Sequence, residues 1–201
     1  MTVVVFDFGG VLIDWNPRHL YRKLFPGDEA GMEDFLANIC TPAWNLRQDR
    51  GGKIADAVRE LTAMHPEKAA LIAAYYDRFD EMMLGPIEGT VAILAELRER
   101  GVPLYGLTNF SAETYPLSLA RFGFIKWFRG VLVSGAEGVV KPDPAIYRLL
   151  VERFGFDPRD AVFIDDVKAN AEGAACVGIK GIHFTGPEAL RAELAAVGLL
   201  G

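Results

Sequence analysis

Five short apolar runs constrain the fold of this chain more than any other feature: residues 3–6, 103–107, 130–133, 161–164 and 181–184. Each is continuous instead of alternating, as expected of a strand buried on both faces of a parallel sheet. Helix patterns separate the later runs. Val91, Leu94, Ala95 and Arg98 lead into Gly101, which suits a helix stop, and Ile146, Leu149, Leu150 and Phe154 share a face that ends at Gly155. Residues 168–176 and 187–197 read the same way. Helix–strand alternation from Thr90 onward predicts an α/β fold with a doubly wound, Rossmann-like parallel sheet.

Residues 14–85 break the alternation. They carry helical patterns at 18–24, 29–39, 54–64 and 67–83, loops at Pro26-Gly27, Thr41-Pro42 and Gly51-Gly52, and no strand pattern. The expected organisation is a core domain of residues 1–13 and 86–201, with an all-helical cap of residues 14–85 inserted after the first strand and seated over the sheet. A chain of 201 residues, 51% of them hydrophobic, supports one such domain with a modest insertion.

A net charge of -6 disfavours nucleic acid and anionic membrane surfaces as partners. No apolar run approaches the length of a membrane span. The chain opens on an apolar strand with no basic segment before it, so the cytoplasm is the expected location. Cys40 and Cys176, distant and without CxxC spacing, form no disulfide framework. Gly51-Gly52-Lys53 lacks the upstream glycine and strand of a phosphate-binding P-loop.

Polar residues gather where the apolar runs end. The first ends in Asp7, the second in Thr108-Asn109, the third in Ser134 with Lys141-Pro142 following, and the fourth in Asp165-Asp166. The carboxyl ends of parallel strands share one edge, where open α/β folds bind ligands. One rim is therefore expected to hold three carboxylates, a hydroxyl, an amide and an ammonium. Crowded carboxylates repel, and one takes up a proton unless a cation neutralises them. Magnesium, which favours a few carboxylates together with water and substrate phosphate, meets that need. None of His19, His65 and His183 falls at an expected strand end, which argues against zinc.

Together these residues resemble the haloacid dehalogenase superfamily over essentially the whole chain. Asp7-Phe8-Gly9-Gly10-Val11-Leu12 looks like its first motif, Leu107-Thr108-Asn109 its second, Lys141-Pro142 its third, and Ile164-Asp165-Asp166 with Asn170 its fourth. Residues 14–85 sit where that family inserts its cap. The resemblance implies a magnesium-dependent phosphatase for a small phosphorylated metabolite, a sugar phosphate being one candidate. It makes Asp7 the nucleophile, through an aspartyl-phosphate that water hydrolyses. Thr108 and the Asn109 backbone would hold phosphate oxygens, and Lys141 would balance charge on Asp7 and the phosphoryl group. Asp7, Asp166 and the Gly9 carbonyl would bind Mg2+, with Asp165 in support. Asn170 falls where many relatives place a further acid.

One position departs from the pattern. Phosphatases of the superfamily usually carry a second aspartate two residues after the nucleophile, to protonate the leaving group and later activate water; here that residue is Gly9. General acid–base catalysis is worth about 10²–10⁴-fold. The glycine therefore implies a substrate with a good leaving group, such as a sugar 1-phosphate or acyl phosphate, or a stand-in acid such as Asp14 or Asp165. It also keeps open a non-catalytic phosphate-binding protein. The other rival is a metal-independent 2-haloacid dehalogenase, whose chemistry has little use for paired acids. Asp14 and Arg47 read as solvated surface or substrate-facing residues, Trp15 and Trp44 as cap core, and Cys176 as a small core residue.

Overall fold

The computed structural model describes residues 2–201. Strand β1 (Val3–Phe6) is buried along its length and leads through Gly10 into β2 (Ile13–Trp15), which pairs antiparallel with β3 (Met83–Pro86). Between these two strands run helices α1 (Arg18–Leu24), α2 (Glu29–Asn38), α3 (Pro42–Asp49), α4 (Ile54–Met64) and α5 (Ala69–Asp77). The chain continues through α6 (Glu88–Glu99), β4 (Leu104–Thr108), α7 (Tyr115–Arg121), β5 (Gly130–Val133), α8 (Ser134–Glu137) and α9 (Pro144–Phe154). It ends with β6 (Ala161–Asp165), α10 (Lys168–Gly173), β7 (Lys180–His183) and α11 (Pro187–Ala196).

Five strands form a parallel sheet in the order β5-β4-β1-β6-β7. Chain order reverses beside β1, the kind of switch point at which open α/β sheets leave a ligand crevice. Phe6 lies level with Gly106 on one side and Ile164 on the other. The residues after β1, β4 and β6 therefore leave the sheet at similar heights. Alternate strand residues enter opposite apolar layers, as the two-residue period demands. Val4, Phe6 and Ile164 pack with Leu94 of α6 and Leu190 of α11, while Val5, Leu107 and Phe163 pack with Ile146 and Leu150 of α9. The first layer runs on into the helical segment through Tyr21, Phe35 and Tyr75. Among the described residues no helix is long and apolar enough to cross a membrane.

The expected α/β fold with its inserted helices is present, with local corrections. Residues 14–85 are not all helical, because the β2–β3 ribbon opens and closes the segment. Strands of three and four residues are too short to show a period, and their pairing joins positions far apart in the chain. Helix α3 occupies part of what reads as a loop at Thr41-Pro42. Thr41 caps it, its hydroxyl accepting from the Trp44 N–H at 3.1 Å, and Pro42 takes the first turn. The pattern at 67–83 splits into α5 between two 3₁₀ turns, Pro66–Lys68 and Phe79–Met82, before β3 begins. Cys176 lies in the 3₁₀ turn Ala174–Val177 and is exposed, not core, because that turn presents it outward. Cys40 and Trp44 are buried, and Trp15 packs partly buried against the same core.

Candidate active site

Loops from the carboxyl edge of the sheet meet at one cavity of about 650 Å³, whose lining includes Asp7, Gly9, Thr108, Asn109, Lys141 and Asp166. Asp7, Asp165 and Asp166 each bring an oxygen into a group spanning no more than 4.8 Å. The buried Lys141 Nζ lies 2.9 Å from Asp7 Oδ1 and 2.6 Å from Asp165 Oδ2, and donates to the Leu107 carbonyl at 3.1 Å. One ammonium thus faces three carboxylates. Burial pushes the Asp7 carboxyl up to about 7; Lys141 opposes the rise, and Asp165 and Asp166 reinforce it. Burial, then the charge of Asp165, also raises Asp166. Burial works against the Lys141 charge, but Asp7 and Asp165 outweigh it and hold the ammonium above its ordinary value. An oxygen-only donor set this crowded and this short of positive charge fits a hard divalent ion.

Asp165 is fully buried and its lone pairs are engaged. It accepts from Lys141 Nζ, from the Val167 N–H at 2.8 Å and from Asn170 Nδ2 at 3.0 Å. It positions Lys141 from behind and is not part of the cavity wall, so it does not fit the stand-in acid. The Asn109 side chain is also engaged: its Oδ1 accepts from the Lys141 N–H at 2.8 Å, and its Nδ2 donates to the Lys141 carbonyl at 3.1 Å. That reciprocal pair ties the loop after β4 to the lysine and leaves the Asn109 backbone as its route to a ligand. Gly10 has φ +74°, and a Cβ there would collide with the Asp166 carboxylate, so only glycine serves at this approach. At Gly9 a Cβ would meet nothing nearer than Trp15 Cβ at 3.8 Å.

Of the residues singled out in the helical segment, Asp14 and Arg47 lie at the surface and Trp44 in the core, as the sequence reading has them, and Trp15 departs from it by lining the cavity. Asp14 pairs with His19 at 2.9 Å outside the cavity, and Arg47 pairs with Glu60 at 3.1 Å on the surface. Trp15 lines the cavity and Trp44 does not. Ser134, expected near the rim, is buried; its hydroxyl donates to the Asp49 carbonyl and accepts from the Phe110 N–H at 3.0 Å, fastening α3 to the end of β5.

The functional candidate that sequence reasoning missed is Asp49, at the C-terminus of α3. It is buried, lines the cavity, and accepts through Oδ2 from Asn45 Nδ2 at 2.9 Å. Burial pushes its carboxyl up to about 7, against the Ser111 N–H that binds it and the charge of Lys141. Within Arg47-Gln48-Asp49-Arg50 it looks like one member of a solvated charge run, and no local signal separates it from its neighbours. Across the same wall, Glu33 is bound by two nitrogens of Arg18, the longer contact at 2.6 Å. The remaining cap lining is largely carbon, from Trp15, Leu36, Cys40, Leu46, Phe79 and the adjoining Phe110.

The chain is similar to known proteins in sequence and in fold. A sesquiterpene phosphatase of Aspergillus oryzae is 29% identical over 194 residues, covering 94% of this chain and 93% of that protein. A haloacid dehalogenase (HAD) family enzyme of Bacteroides thetaiotaomicron, solved with magnesium and inorganic phosphate, has the same fold with a TM-score of 0.66 at 22% identity, over 90% of this chain and 92% of that one. An L-2-haloacid dehalogenase of Xanthobacter autotrophicus, with chloropropionic acid covalently bound, also has a TM-score of 0.66, at 21% identity over 100% of this chain and 85% of that one. The family model for haloacid dehalogenase-like hydrolases matches residues 1–178. With that match spanning most of the sequence, and with the charged rim where the four motifs predict it, the chain belongs to the haloacid dehalogenase-like hydrolases.

Proposed function

We propose that this hydrolase is a magnesium-dependent phosphatase that cleaves a small phosphate monoester through an aspartyl-phosphate on Asp7. The observation that carries the reading is Asp7 held 2.9 Å from a buried ammonium and beside two further acids, with its carboxylate in the wall of an open cavity. Asp7, Asp166 and the Gly9 carbonyl are the groups we assign to Mg2+, with Asp165 behind them. Bound there, the ion would supply positive charge to the phosphoryl oxygens. An Asp7 oxygen attacks phosphorus, a new P–O bond forms, and the ester P–O bond breaks with its electron pair passing to the departing alcohol. Thr108 and the Asn109 N–H hold phosphoryl oxygens, and Lys141 remains protonated to balance the charge. Water then cleaves the aspartyl-phosphate and releases inorganic phosphate.

In this reading residues 14–85 act as a cap that selects the alcohol. A wall of Trp15, Leu36, Cys40, Leu46, Phe79 and Phe110 suits an apolar alcohol better than a sugar, whose hydroxyls would give up water for carbon. The substrate class favoured is therefore a phosphate monoester of an apolar alcohol, in keeping with the sesquiterpene phosphatase among the relatives. The cytoplasm is the proposed location, and a small phosphorylated metabolite the proposed partner.

The test is a panel of octyl phosphate, an aryl phosphate and 2-chloropropionate, each with magnesium and with chelator. Magnesium-dependent phosphate release is the expected result. Chelator-resistant halide release would place the chain with the dehalogenases instead.

A further inference from the structure

We infer that Asp49, reaching the cavity from helix α3, is the catalytic acid that protonates the departing alcohol, the role that Gly9 cannot fill; the inference rests on the phosphatase reading above. An unactivated alkoxide is a poor leaving group. As the ester P–O bond breaks, its electron pair goes to the alcohol oxygen, which takes the proton from the Asp49 carboxyl. Asp49 is then a carboxylate. It recovers a proton from the water that attacks the aspartyl-phosphate, so a full cycle consumes one water and yields alcohol and inorganic phosphate.

Elimination within the cavity leads to this residue. Asp7 is committed as nucleophile, Asp166 lies in the oxygen cluster, and Lys141 is held between two carboxylates. Glu33 is neutralised by Arg18, whose contacts hold its carboxyl below its ordinary value. Among the described cavity-lining acids, Asp49 is buried and is held by neutral donors, the Asn45 amide and the Ser111 N–H.

Asp49 is also fixed relative to the reacting end. Its carbonyl accepts from Ser134 at the end of β5, and its carboxylate from the Ser111 N–H, in the loop that begins with Thr108-Asn109. Asn45, which donates to Oδ2, is held in turn by the Tyr76 hydroxyl at 2.9 Å. The acid therefore belongs to the cap in sequence but is anchored to the core.

Its charge state suits the task. Asp49 is faced by Lys141 from the loop after α8, Asn45 on its own helix, the Ser111 N–H, and Tyr75 and Tyr76 from α5. Burial prevails over the lysine and the N–H, and the carboxyl is pushed up to about 7. A group near neutrality both donates and recovers a proton at ordinary pH.

The experiment compares kcat/KM of the wild type, D49N, G9D and the double variant on octyl phosphate and on 2,4-dinitrophenyl phosphate, whose phenolate leaves without a proton. Since kcat/KM reports steps up to formation of the aspartyl-phosphate, a later defect in water activation does not enter it. D49N is expected to lose about 10²–10⁴-fold on octyl phosphate and far less on the dinitrophenyl ester. With the latter it should show a burst of one phenolate per enzyme followed by slow turnover. Gly9→Asp, which the open space at that position admits, should restore octyl phosphate cleavage in the D49N background. Equal losses on both esters, or no loss on octyl phosphate, would overturn the assignment. G9D alone supplies a check independent of the folding of D49N. A gain of less than about tenfold on octyl phosphate is expected because an acid is already present, and a gain of about 10² or more would overturn the inference. A wild type silent on both esters in magnesium would instead defeat the phosphatase reading, and the inference with it.

Discussion

The two walls of the cavity are built differently. The sheet rim carries Asp7, Lys141 and Asp166 on strand ends and adjoining loops, with neighbouring parallel strands setting their heights. The wall opposite is carried on short helices packed around Tyr21, Phe35 and Tyr75, and offers carbon with one buried acid, Asp49. Clustered charge needs backbone that does not yield, and central strands buried on both faces supply it. A helical wall makes different demands, because its residues are exchanged one at a time without disturbing the ladder. In the proposed function chemistry and selectivity are thereby separated, and Asp49 crosses the division by being tied to Ser111 and Ser134.

The largest expected effect comes from breaking the rim. Lys141→Met removes the ammonium that faces three acids and should lower phosphate release by about 10³-fold. It should also cost about 3–5 kcal/mol in magnesium-free denaturant melts, since it strands buried carboxylates. A variant with near-native activity would show that the rim does not depend on that charge.

Gly10→Ala is expected to do less. It pushes Asp166 away from Asp7 and should weaken magnesium affinity about 10–100-fold by calorimetry, while the fold survives. Unchanged affinity would remove Asp166 from the ion site.

On the cap side, the Asp49 carboxyl sits at about 7 in the folded chain against an ordinary 3.8, so between those values only the folded state holds the proton. Its contribution to stability is fully present below 3.8 and is lost as pH rises through about 7, by a few kcal/mol at most. The melting temperature of D49N minus that of the wild type should therefore increase from pH 4 to pH 8. A flat difference would contradict the burial argument.

The smallest effect belongs to the carbon wall. Leu46→Ser, at a position 37% exposed and so tolerant of change, should reduce kcat/KM about tenfold for octyl phosphate and little for short-chain phosphates. Equal loss on all esters would mean that the wall does not select the alcohol.

What was legible in the sequence and what was not follows the same division. The strands were readable because runs such as 161–164 are continuous and apolar, and the residues at or after their ends, Asp7, Thr108, Lys141 and Asp166, were readable as one rim, which in the structure lines one cavity. The β2–β3 ribbon was not readable, since three or four residues show no period and their partner lies beyond five helices. Helix α3 was signalled by Thr41-Pro42, but that pair also marks a turn, and only the packing of Trp44 distinguishes the two. Asp165 and Ser134 were readable as strand-end residues, but not as groups that face inward to hold Lys141 and Asp49.

By itself, then, the sequence determined the parallel sheet and the charged rim, because apolar continuity and strand ends are local properties of the chain. Only the tertiary structure decided that Asp49 faces that rim while Asp14 and Arg47 do not. The physical reason is that burial of a polar side chain is set by whatever packs against it, and for Asp49 those partners are Ser111 and Ser134, 62 and 85 residues further along the chain.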